Sequence, residues 1–306
     1  MARMRQFATI GGNDWHEPGK ASGSAGVKGR IVVARYVGAL VRAILVIAVI
    51  AIPSIILPSV SDDTGQIVAL VGIFAAALTF FEYASVYPGL IEFRDAPPFN
   101  RIRYASLVAT VVMLSMVVLA RTAPSTLTMF VDVLGSAMAR SIDLPYSPVR
   151  LLVLMLPSGA TPGQIELMRT AGGIAYMTSL LTLGYFVVVI RALGWPTSGQ
   201  SFNVWVNLPT FDPTAGGDVV ERLRRDAWFN IALGFLLPFL IPAVIKAISS
   251  GFSPVTLDSP HTMIWTVTAW AFLPASLFMR GIAMGRVANM IEEKRRASGM
   301  TEFLPA

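Results

Sequence analysis

Cysteine is missing altogether from the 306 residues, and histidine occurs only twice, at His16 and His261. The first absence excludes disulfides, thiolate metal sites, iron–sulfur clusters and cysteine nucleophiles together. The second leaves haem ligation between helices, a histidine metal centre and a Ser-His intramembrane protease without their side chains, because His16 lies in a polar leader and His261 at the mouth of an apolar run. No HExxH, GxSxG or phosphate-cradling glycine loop occurs. The chain is therefore read as no enzyme, with no catalytic, metal-binding or cofactor-binding residue and no cofactor.

Charge is the next shortage. Charged residues make up 14% of the chain, against about 25% in a soluble domain, while hydrophobic residues reach 54% and mean hydropathy is +0.64. The charge is missing from long runs, and roughly 20 apolar residues suffice for a helix to cross a bilayer. Six runs qualify, at about 37–59, 67–91, 104–121, 171–193, 228–250 and 262–286. The expected fold class is all-α: a polytopic membrane protein whose six-helix transmembrane domain spans 37–286. A flexible, basic, Gly- and Ser-rich tail (1–36) precedes it and a cytoplasmic tail (287–306) follows.

The cations divide unevenly between the two faces that such a chain presents. Arg3, Arg5, Lys20, Lys28, Arg30 and Arg35 in the leader share a side with Arg94, Arg101, Arg103, Arg222, Arg224, Arg225, Lys294, Arg295 and Arg296; the opposite side has only Arg140, Arg150 and Arg169. By the positive-inside rule both termini are cytoplasmic, in a bacterial inner membrane. The pI near 9.9 is then a topology signal and a basic face toward anionic lipid. The lipid bilayer is the expected partner, and nucleic acid is not.

Prolines and caps punctuate the runs. Pro53 and Pro58 predict a kinked or unwound outer end for the first span, as Pro238 and Pro242 do for the fifth. In the outer loop 122–170, Leu127, Phe130, Val131, Leu134 and Met138 recur at helical spacing behind Ser125, which predicts an amphipathic helix. The run 148–156 is too short to span. Thr161-Pro162-Gly163-Gln164 reads as a capping box that starts the fourth span early, and Gly194 before Trp195-Pro196 stops it. Asp218 and Glu221 form a second such signature. In the inner loop 194–227, Trp195, Phe202, Trp205 and Phe211 belong to the interfacial aromatic belt or to a docking surface for a partner protein. Gly281 and Gly285 form a GxxxG that permits close helix approach.

One ionisable residue stands out. Glu82 is the only carboxylate inside the six runs, about 10 Å from the inner end of its span at 1.5 Å per residue. An acid at membrane depth is costly unless paired, protonated or wetted, which makes it a functional candidate. Arg42 and Arg280 reach a similar depth, so three roles are open: an ion pair with Arg42 or Arg280 that fixes helix packing, a coupling carboxylate, or a side chain snorkelling to the interface. Pro88, Glu92, Arg94, Asp95, Arg101 and Arg103 crowd the inner loop that follows and form a candidate inner-face site.

The expected function is that of a non-catalytic accessory or scaffold subunit, with protein partners in a membrane complex or a homo-oligomer. The alternative is a secondary transporter or channel using Glu82 and the proline-broken helices. It requires Glu82 to line a polar cavity and to lack an arginine partner.

Overall fold

A computed structural model describes residues 20–58, 61–196, 202–212, 214, 216–249 and 259–302. Among these residues the chain is helical throughout its regular structure: α1 (Lys20–Ile56), α2 (Asp62–Ala84), α3 (Phe99–Thr122), α4 (Thr126–Ile142), α5 (Pro148–Val153), α6 (Pro162–Ala192), α7 (Val204–Asn207), α8 (Val219–Ser249) and α9 (Pro260–Glu302). Six of them (α1, α2, α3, α6, α8, α9) are long and apolar enough to cross a membrane. The protein is an all-α polytopic membrane protein.

The helices differ from the expected runs mainly at their ends. Residues 20–36, expected as flexible tail, continue α1; helix propagates cheaply from an already formed span, and the glycines there are too few to stop it. Residues 1–19 lie outside the described residues. At the other terminus EEKRRA, all good helix formers, carries α9 to Glu302, so there is no separate tail over 287–302. The second span ends at Ala84 rather than 91. Pro88 has no N–H and disfavours helix at Tyr87, and Ser85 closes the last turn through a bond from its N–H to the Phe81 carbonyl at 2.9 Å.

The prolines end fewer helices than expected. α1 stops at Ile56, short of Pro58, but α8 runs through Pro238 and Pro242 to Ser249. Pro242 cannot donate to the carbonyl four residues back, which is that of Pro238. The indole N–H of Trp270 on α9 takes that place at 2.9 Å, so the freed carbonyl becomes an interhelical bond. Gly234 lets the same helices touch: a methyl there would stand 2.7 Å from the Pro274 carbonyl oxygen. Gly281 acts likewise against Ala227 and Ile231, so the GxxxG packs α9 on α8 within one chain.

Two apolar cores divide the bundle. One lies toward the ends where α2, α8 and α9 meet their outer loops, around Leu114, Leu152, Ile174, Ile264 and Trp270. The other lies at the basic end, around Phe93, Phe99, Phe186, Trp195, Leu223 and Met279. Hydroxyls staple the region between them: Ser179 donates to the Ala271 carbonyl (3.1 Å) and Thr182 to Ser106 Oγ (3.0 Å).

The loop 122–170 closes the far end with α4 and α5. Ser125 caps α4 reciprocally with Thr128, and Thr161 and Gln164 form the expected box at α6. The buried face of α4, however, is not the predicted stripe of large residues. Thr128, Val131, Gly135 and Ala139 face inward, while Leu127, Phe130 and Val133 are exposed. The partner surface decides this: Gly172 and Gly173 of α6 leave room only for small residues, and a methyl on Gly173 would lie 2.5 Å from the Ala139 Cα. Asp143 then ties the far end together, bonded to Arg150 at 2.8 Å and Arg169 at 3.0 Å.

Candidate functional site

At the basic end, the segment between α2 and α3 (residues 85–98) folds back over the helix termini. Here Glu82 finds partners that the sequence did not suggest. Its carboxylate accepts hydrogen bonds from three successive backbone N–H groups, those of Gly89 (3.0 Å), Leu90 (2.9 Å) and Ile91 (3.1 Å). Neither Arg42 nor Arg280 pairs with it; Glu82 forms no ion pair with a described residue. Successive amides turned toward one anion make a strong, directional site without a counter-ion. The side chain of an α2 residue thus orders the chain seven to nine residues further on.

Arg94 repays the bond in the other direction. Its guanidinium donates to the carbonyls of Glu82 (3.1 Å) and Ser85 (2.8 Å), the orphan acceptors that end α2, and it touches Asp95 at 3.2 Å. Its side chain is only 8% exposed. Pro88 is buried between these two locks.

Beyond them the loop plunges inward at Phe93. This residue has φ 51, a left-handed conformation that costs a non-glycine residue about 1–3 kcal/mol and persists because its surroundings fix it. Phe93 is 1% exposed and packs on Phe99 (4.5 Å between centroids) and Trp195 (5.6 Å), with Phe202 at 6.5 Å. Its N–H donates to the Asn207 carbonyl (2.6 Å), Asp95 N–H donates to Asn207 Oδ1 (3.0 Å), and Asn100 Nδ2 donates to the Glu92 carbonyl (2.8 Å).

These contacts settle the place of the inner-loop aromatics. Trp195 and Phe211 are buried and Phe202 lies half-buried against Phe93 and Trp195, so they form the core of the basic end and present no docking face. The Trp195 indole donates to the Ala96 carbonyl (3.3 Å), and its own carbonyl accepts from Arg286 (3.1 Å). Gly194, at φ 59, supplies the turn that aims it, with Trp195 N–H closing on the Ile190 carbonyl at 3.1 Å. The side chain of Trp205 lies outside the described residues.

The remaining candidates flank this knot. Arg280 on α9 holds Glu92 through two bonds, Nε to Oε2 at 2.5 Å and Nη2 to Oε1 at 2.7 Å, and Thr210 Oγ1 donates to the same carboxylate at 2.5 Å. Arg280 was therefore a sound choice of cation with the wrong acid. Arg42 donates to the Gly38 carbonyl (2.7 Å) and lies over the Tyr83 ring at 4.4 Å. Arg101 is exposed, and Arg103 reaches Asn100 Oδ1 at 3.4 Å while its Nε is buried with no hydrogen-bond partner. At the start of α8, Asp218 bonds Arg295 at 2.7 Å, and that guanidinium, with the Val220 N–H, holds its carboxyl below the usual range.

A cavity of 1060 Å³ opens beside the loop, between α1, α3 and α9. Arg42, Arg103, Arg280 and Glu92 line its polar part, and Val41, Leu45, Leu107 and Phe272 its apolar wall. Glu82 does not border it. Among the described residues no three His, Asp or Glu side chains gather as metal ligands.

The basic end is thus a polytopic membrane protein's braced, arginine-rich platform. The chain matches no family model, no curated protein and no solved structure.

Proposed function

We propose that the chain is a non-catalytic accessory or scaffold subunit of a membrane protein assembly, in a bacterial inner membrane with both termini cytoplasmic. One observation carries this reading: the acids best placed for chemistry are committed to holding the fold. Glu82 binds three amides and Glu92 binds Arg280 and Thr210. A coupling carboxylate must exchange partners during a cycle, and these two sit in rigid, multiply bonded positions. The exposed Leu127, Phe130 and Val133 of α4 add an apolar face that the chain itself leaves uncovered, for a partner or the bilayer.

Purification from native membranes in mild detergent, followed by mass spectrometry of co-purifying proteins, tests the proposal. Stoichiometric partners that survive gel filtration are expected. A lone protein whose uptake activity is lost in Glu82→Gln but kept in Glu82→Asp would overturn it in favour of a secondary transporter or channel. The cavity between α1, α3 and α9 is what supports that second reading, since it offers an amphipathic chamber at one end of the bundle.

A further inference from the structure

We propose that the cavity between α1, α3 and α9 binds a membrane amphiphile with a phosphate-bearing anionic head. The head lies on Arg42, Arg101 and Arg103, and the chain runs along Val41, Leu45 and Leu107. This assignment stands apart from the question of protein partners.

Charge balance within the cavity is the first ground. Five arginines line it, with two acids. Glu92 neutralises Arg280, and Asp95 together with three carbonyls occupies Arg94. Arg42, Arg101 and Arg103 remain, and none of them forms an ion pair with a described residue. Arg103 is the telling one, because its Nε is buried and bonded to nothing. A guanidinium that is withdrawn from water without an acceptor is costly, so its retention here points to an anion supplied from outside the chain. Guanidinium groups bind phosphate through paired N–H donors, and basic pockets between transmembrane helices are suited to lipid head groups.

The cavity's second half decides between a free anion and an amphiphile. Its volume of 1060 Å³ far exceeds what a phosphate fills, and its wall is aliphatic. Val41 (50% exposed) and Leu45 (42% exposed) belong both to that wall and to the outer surface of α1, so the apolar part is continuous with the surrounding hydrocarbon. The hairpin of α1 and α2 is also the least buried part of the bundle, with 22% and 11% of the residues in the apolar windows of the two helices buried. A chain can enter sideways there.

The full-length protein in a neutral maltoside detergent is titrated with dioctanoyl phosphatidylglycerol, dioctanoyl phosphatidylcholine and inorganic phosphate, with binding read by native mass spectrometry. Phosphatidylglycerol is expected to bind about tenfold tighter than either other ligand, and Arg103→Gln and Arg42→Gln each to weaken it about tenfold, the size of one charge-assisted contact. Arg225→Gln, on an exposed side chain of α8 outside the cavity, leaves it unchanged. Should the arginine variants fold poorly, a photoreactive phosphatidylglycerol on the unaltered protein gives the same answer, with adducts expected at 41–46 and 107. Equal affinity for the two lipids, inorganic phosphate binding as tightly as phosphatidylglycerol, unaltered binding in both well-folded variants, or adducts confined to other helices would each overturn the proposal.

Discussion

The two ends of the bundle solve one problem with different materials. At the far end, α4 seals the helices through a seam of small residues, Gly135 and Ala139 against Gly172 and Gly173, in which backbones nearly touch. At the basic end, residues 85–98 are irregular, and every carbonyl or amide left without a helical partner must be bonded explicitly. Glu82, Arg94, Asn100 and Asn207 do that work, over an aromatic knot centred on Phe93. Close packing tolerates no added volume but needs no charge. A braced loop tolerates volume changes better and fails when a charge is removed. The contrast also says why acids concentrate where they do: Glu82 and Glu92 serve the end that lacks regular backbone pairing.

Substitutions should divide along that line. The largest effect is expected from Gly173→Leu, which drives a side chain into Ala139 and costs about 3 kcal/mol or more. It should abolish monodisperse protein in detergent, and a stable Gly173→Leu protein would show that the far end is looser than described. Next comes Glu92→Gln. Side-chain exposures of 11% for Glu92 and 26% for Arg280 place the pair between buried and surface cases, so about 2–4 kcal/mol is expected. Thermal unfolding should then show part of the loss recovered in the double variant Glu92→Gln with Arg280→Met, since no charge is left stranded.

Glu82→Gln should cost about 1–2 kcal/mol through weakened bonds to the three amides. Glu82→Asp should destabilise at least as much, because the shorter side chain falls short of Gly89. A coupling carboxylate would show the reverse order, with aspartate the milder change. The smallest effect belongs to the exposed Asp218–Arg295 pair. Because the carboxyl is held below its ordinary value near 3.8, its contribution is present above that pH and fades as pH falls through the lower folded value. The difference in melting temperature between Asp218→Asn and the parent chain should be slight at neutral pH, smaller still in high salt, and absent in acid.

The far end was also the more legible in the sequence. Ser125 and the Thr161–Gln164 box are local signals, carried by residues a few positions apart, and the structure keeps both. The long apolar runs gave six spans for the same reason. What stayed hidden depends on pairing across the chain. Glu82 meets amides seven to nine residues away, Arg280 meets an acid 188 residues away, and Asn207 reaches back to Asp95 across 112. No periodicity encodes such partners. The aromatics of the inner loop misled because an aromatic residue among prolines and glycines looks the same whether it faces headgroups or a buried Phe93. Phe93 itself offered a signal: it is an apolar residue flanked by Glu92 and Arg94 in an otherwise polar turn. On α4 the large residues dominated the pattern, yet the glycines of α6 decided which face packs.

The central claim is that Glu82 is a structural carboxylate that orders the loop after α2. Hydrogen exchange of the amides of Gly89, Leu90 and Ile91, measured on the unaltered protein and on Glu82→Gln in the same lipid and detergent, tests it most directly. The account predicts slow exchange at all three in the parent chain and a loss of protection confined to them and their neighbours in the variant. Rapid exchange at these amides in the parent chain, or protection that survives the substitution, would contradict it.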